Sequence, residues 1–130
     1  MAAYDVETSI INSIKDEKSL ELFNIIGGGK RDSSELDLSN KRYHRRLSRL
    51  IATGLVKRDR GQYVLTALGI VVYRGQVVIQ RAVSIYWNLK AIDAIKASGK
   101  IGEEEWVKLI HTILDDQEME RVILETNKGV

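Results

Sequence analysis

Two short runs rich in Val, Leu and Tyr, residues 55–58 and 62–65, flank the tripeptide "DRG" in a chain whose other apolar residues recur mostly at helical spacing. Runs of this length around a Gly-containing turn read as a β-hairpin. The fold class that follows is mainly α with one small β-hairpin, an α+β arrangement. No proline occurs in the 130 residues, so boundaries must be read from glycines, capping residues and changes of period.

Before the hairpin, Leu20, Leu22, Phe23, Ile25 and Ile26 predict a helix over residues 16–26, ended by Gly27, Gly28 and Gly29. "SSEL" at 33–36 predicts a short second helix capped by Asp32 or Ser33. Ser39 then caps a third over 39–52, whose apolar stripe is Tyr43, Leu47, Leu50 and Ile51, with Gly54 as its stop. After the hairpin, Thr66 caps a single long helix over 67–97, ended at Gly99, and residues 103–124 form an acidic helical segment with Trp106 and Ile110 on its apolar face. The expected division is a first domain at 1–66 and a helical region at 67–130.

The charge of the chain is local. Lys41, Arg42, Arg45, Arg46, Arg49, Lys57, Arg58 and Arg60 share a twenty-residue window with one acid, Asp59, for a net charge of +7. The other 110 residues hold twelve bases against seventeen acids, net −5, and the whole chain sums to +2. On a helical projection Arg42, Arg45 and Arg49 lie opposite the apolar stripe, with Lys41, Arg46 and Ser48 beside them. Solvated helix faces usually mix signs in i, i+4 pairs, and this helix contains no acid. Its mutual repulsion is relieved by an anion. Double-stranded DNA supplies one phosphate per roughly 1.7 Å of axis and a major groove that admits a helix.

The stretch "RLSRLIATGLVKRDRGQYVLTALG" carries a resemblance. Its "L-x-x-L-x-x-x-G-L-V-x-R" followed by "L-T-x-x-G" is similar to the winged helix-turn-helix of MarR-type and PadR-type proteins, and the continuation into a long helix resembles small archaeal winged-helix transcriptional regulators. The resemblance covers residues 16–69. It implies a DNA-binding regulator whose recognition helix is 39–52 and whose wing is 55–65, with the tip at 59–61. Together with the charge pattern, this makes Ser39, Lys41, Arg42, Arg45, Arg46, Arg49, Lys57, Arg58 and Arg60 the expected DNA-binding residues. An alternative in another class is a winged-helix interaction module that docks an acidic protein partner.

Between Leu68 and Ile92 one heptad position reads Leu68, Gly75, Ala82, Leu89 and another reads Val71, Val78, Ile85, Ile92. This stripe can pack within the monomer against the helix around Trp106 or against a second copy. Its width, extended by Val72, Ile79, Val83, Tyr86 and Trp87, favours a homodimer, with Val71, Gly75, Val78, Ala82, Ile85, Leu89 and Ile92 as the dimerisation residues.

Other signals carry less. "GGGK" at 27–30 follows a helix, lacks the spaced first glycine of a phosphate loop and reads as a turn. His111 and Asp115, four apart, are two ligands without a third, so no metal is expected. With two histidines and no cysteine there is no recognisable nucleophile and base, so neither an enzyme nor a cofactor is expected. Residues 68–89 are interrupted by Arg74, Gln76, Gln80 and Arg81, too polar for a membrane span, and no secretory signal is visible, which makes a soluble cytoplasmic protein the expectation. The target site, the sign of regulation and any small-molecule effector stay open.

Overall fold

A computed structural model describes residues 3–29 and 38–128. In chain order the described elements are α1 (Ala3–Ile14), α2 (Glu17–Gly27), α3 (Asn40–Ala52), β1 (Val56–Asp59), β2 (Gln62–Leu65), α4 (Ala67–Ser84), α5 (Tyr86–Ala97), α6 (Glu103–Ile113) and α7 (Gln117–Lys128). The class is therefore mainly helical with one two-stranded antiparallel hairpin, as expected. The helix expected at 33–36 and its cap lie outside the described residues. Among the described helices none is long and apolar enough to cross a membrane.

The chain forms two compact units, Met1–Gln76 and Val77–Val130. The division falls inside α4, ten residues beyond the expected boundary at 66 and 67. The reason is packing: the first turns of α4 supply Val72 and Tyr73 to the core of the first unit. That core consists of Leu22 and Phe23 from α2, Leu47 and Leu50 from α3, and Leu55 and Val56 at the start of the hairpin. Phe23 is fully buried and meets the Tyr73 ring edge to face at 6.1 Å. α1, for which the sequence raised no expectation, adds Ile10 and Ile14 to the same core.

The hairpin is placed by a small set of hydrogen bonds. Val56 pairs with Leu65 and Asp59 with Gln62, which leaves Arg60 and Gly61 as a two-residue turn. Both have positive φ, 52° and 78°, the signature of a type I′ turn matched to strand twist. At its base the Thr66 hydroxyl donates to the Gly54 carbonyl and accepts from the Gly69 amide at 3.0 Å. One side chain thus joins the end of α3 to the start of α4.

Beyond the first unit one expectation is corrected. The single helix over 67–97 is broken at Ile85 (φ −113°, ψ 27°) into α4 and α5. The Ser84 hydroxyl donates to the Arg81 carbonyl at 2.6 Å, and the Ile85 amide bonds one residue short, to Ala82, at 3.2 Å. A side chain has taken the acceptor that the helix needed. The acidic segment expected at 103–124 is helical and consists of α6 and α7. Asp116 ends its continuity by capping α7, accepting from the Glu118 and Met119 amides at 3.1 and 3.2 Å.

The same Asp116 receives the Arg81 guanidinium, whose Nε donates at 2.9 Å and whose remaining nitrogens reach Asp116 and Glu118. These bonds hold the Asp116 carboxyl below its ordinary value against a smaller opposing effect of burial. The unit's core gathers Ile92, Ile110, Leu114 and Met119. His111 lies 3.2 Å from Glu120 across the gap between α6 and α7.

Candidate nucleic-acid interface

The basic face begins with an amphipathic helix fixed by its apolar side. Ser39 caps α3 by accepting from the Arg42 amide at 3.4 Å, which sets the register of everything that follows. Leu47 and Leu50 are then buried and Tyr43 half-buried against the same core, so the opposite face is turned to solvent. Arg42, Arg45 and Arg49 stand on it at i, i+3 and i+7, all exposed, with Lys41 and Ser48 exposed beside them. Ile51, expected in the apolar stripe, is 42% exposed at its edge.

The hairpin adds a second row. Val56 is buried and Tyr63 and Leu65 pack on the core, which leaves Lys57, Arg58, Asp59 and Arg60 exposed. Arg60 sits in the left-handed region, where a side chain with a Cβ costs roughly 1 kcal/mol and Asn or Gly is the usual occupant. A cation is therefore held at the tip against local backbone preference. Among the described residues, Arg42, Arg45, Arg49, Lys57, Arg58 and Arg60 have no carboxylate partner, and Asp59 is the single acid between residues 41 and 60. Six cations on a helix face and a hairpin of one unit can take up several singly charged oxygens at once.

Arg46 does something else. It was expected with the DNA-binding residues, but its Nε donates to Asp16 Oδ2 at 3.2 Å and its side chain is 23% exposed. Asp16 is itself the N-cap of α2, accepting from the Ser19 amide at 3.1 Å. One carboxylate closes the end of α2 and clamps α3 onto it across thirty residues of sequence. Nothing local in the sequence pairs these residues, and the charge count alone grouped Arg46 with its neighbours.

This clamp has a pH signature. Partial burial pushes the Asp16 carboxyl up; the Ser19 hydroxyl and amide and the Arg46 guanidinium outweigh it and hold the carboxyl below its ordinary value of 3.8. The depressed folded value means that the contribution is complete above the unfolded value and is lost as pH falls through the folded one. Asp16→Ala is expected to lower stability at neutral pH by about 1 kcal/mol, mainly through the lost cap, because the solvent-screened ion pair adds little. Below pH 3.8 the difference from the parent should shrink. Urea melts at pH 7 and pH 3 check this, and a constant difference would remove the carboxylate from the explanation.

The expected dimerisation residues divide. Val78, Ile85 and Leu89 are partly buried against the second core and Ile92 is part of it, 3% exposed. Val71 is 69% exposed, Ala82 half-buried, and, apart from the backbone of its own helix and its chain neighbours, no atom of the described residues stands within 4 Å of where a Gly75 Cβ would lie. The heptad is thus shared between the chain's own core and solvent. Compared with protein-family models, curated proteins and solved structures, the chain matches none.

Proposed function

We propose that the chain is a winged helix-turn-helix protein that binds double-stranded DNA, with α3 as its recognition helix and the hairpin as its wing, and that it regulates transcription as a homodimer. The observation that carries this reading is the row of exposed cations that have no carboxylate partner among the described residues, Arg42, Arg45 and Arg49 on α3 with Lys57, Arg58 and Arg60 on the hairpin. Their helix fits a major groove, and arginine forks onto the O6 and N7 of guanine where lysine does so poorly. A twofold pair of such helices suits two half-sites one turn apart, about 34 Å.

The test is a salt titration. If six cations per protomer displace counterions, the logarithm of affinity falls with the logarithm of salt at a slope of about −5 for each protomer bound, which is roughly a 10³-fold loss per protomer between 50 and 200 mM. Fluorescence anisotropy of a labelled duplex measures it. An affinity indifferent to salt would overturn the reading. An acidic protein surface offers the same charge, so unlabelled unrelated duplex is the second arm: it must compete.

A further inference from the structure

The second unit leaves an apolar face uncovered along α4 and α5. Once Val78, Ile85, Leu89 and Ile92 turn toward Ile110 and Leu114, the adjoining edge of the same stripe faces solvent. There Ile79 is 58% exposed, Val83 67%, Tyr86 48% and Trp87 78%. The Tyr86 and Trp87 rings meet edge to face with centroids 5.1 Å apart, which braces the indole in its exposed position.

Size and charge indicate what covers this face. The four side chains expose on the order of 500 Å², at the upper end of what a soluble monomer leaves in one patch and more than half of the 800 Å² or so that each partner gives to a standard interface. Exposed Gln80, Ser84 and Asn88 alternate with them and supply a polar rim. The cations near this face are already occupied within the chain. Arg81 is held by Asp116 and Glu118, and the Lys90 ammonium stands 5.3 Å from the centre of the Tyr86 ring. A strongly charged partner finds little to pair with here. A second copy brings the same neutral apolar face and meets no like-charge repulsion.

We infer that Ile79, Val83, Tyr86 and Trp87 form the surface on which a second copy of this chain docks, in place of the heptad residues that the chain's own core has taken. The inference rests on the homodimer part of the proposed function and is independent of its DNA part. Because the four side chains are exposed in the single chain, Val83→Gln with Trp87→Gln leaves the core of the unit untouched. Sedimentation of the parent at about 10 µM should show dimer, and the double variant should dissociate with a constant raised about 100-fold while its thermal melt keeps the parent's midpoint at a concentration where both are monomeric.

A double variant that stays dimeric would overturn the surface and leave pairing itself intact. A parent that is monomeric throughout would overturn both. If that monomeric parent instead shifted its tryptophan emission on neutral lipid vesicles, the face would belong to a bilayer surface and the inference would fall. DNA affinity of the parent for a single half-site, measured alongside, fails only if the DNA reading fails.

Discussion

Gly69→Ala unfolds the N-terminal unit or weakens it by at least about 3 kcal/mol. Gly69 lies in the first turns of α4, where the helix crosses directly over the chain entering the hairpin. A Cβ there would collide with the carbonyl oxygen of Leu55 and stand 3.0 Å from its carbon and 3.3 Å from the Leu65 Cβ. These are backbone and near-backbone atoms, so no side chain can swing aside. Relief requires α4 to lift from the hairpin. Lifting breaks the bond from the Thr66 amide to the Leu55 carbonyl and the one from the Gly69 amide to the Thr66 hydroxyl, and it loosens Val72 and Tyr73 on the core. Gly75→Ala, in the same helix with open space around the added methyl, should raise stability by about 0.5 to 1 kcal/mol, as helix propensity dictates. Denaturant melts of the two variants decide the matter, and similar midpoints would refute the close approach.

On the proposed function, replacing Arg42, Arg45 and Arg49 together with alanine lowers duplex affinity by about 10³-fold while the melt is unchanged or slightly improved. All three are exposed and have no carboxylate partner among the described residues, and truncating them removes the mutual repulsion of their row. Arg46→Ala serves as the opposite control. It removes the clamp to Asp16, so its main effect is on the melt.

Within the basic face, position separates reading from gripping. Arg45 is mid-helix and opposite the buried Leu47 and Leu50. On the proposed docking it meets base edges, and Arg45→Ala should cost about 1 to 3 kcal/mol on a preferred site and relax the preference at one base pair. Arg60, at the tip of the hairpin, should grip the backbone. Arg60→Ala is expected to weaken preferred and scrambled duplexes alike and to lower the salt slope by about one per protomer. Anisotropy titrations of both variants on both duplexes at two salt concentrations test the pair. Equal losses on both duplexes for Arg45→Ala would remove it from base readout.

What the sequence by itself determined lies within a turn or two of each residue. Ser39 and Thr66 start their helices, Gly54 follows the end of α3, Arg60 and Gly61 make the turn of the hairpin, and the 3.6-residue period of Leu47 and Leu50 turns Arg42, Arg45 and Arg49 outward. Such effects are local, carried by a backbone angle, a cap or a periodicity that needs no distant partner. Only the tertiary structure decided which arginines are taken up by a carboxylate of the chain. Asp16 and Asp116 each cap a helix and also take an arginine, Arg46 and Arg81, from thirty and thirty-five residues away. Identical guanidinium groups at neighbouring positions thus have different roles, set by which carboxylate the folded chain brings close. Tertiary packing likewise chose which edge of the stripe along α4 and α5 to bury. An apolar residue contributes the same hydrophobic free energy against any apolar cover, so periodicity marks the stripe but cannot say whether the cover is the chain's own.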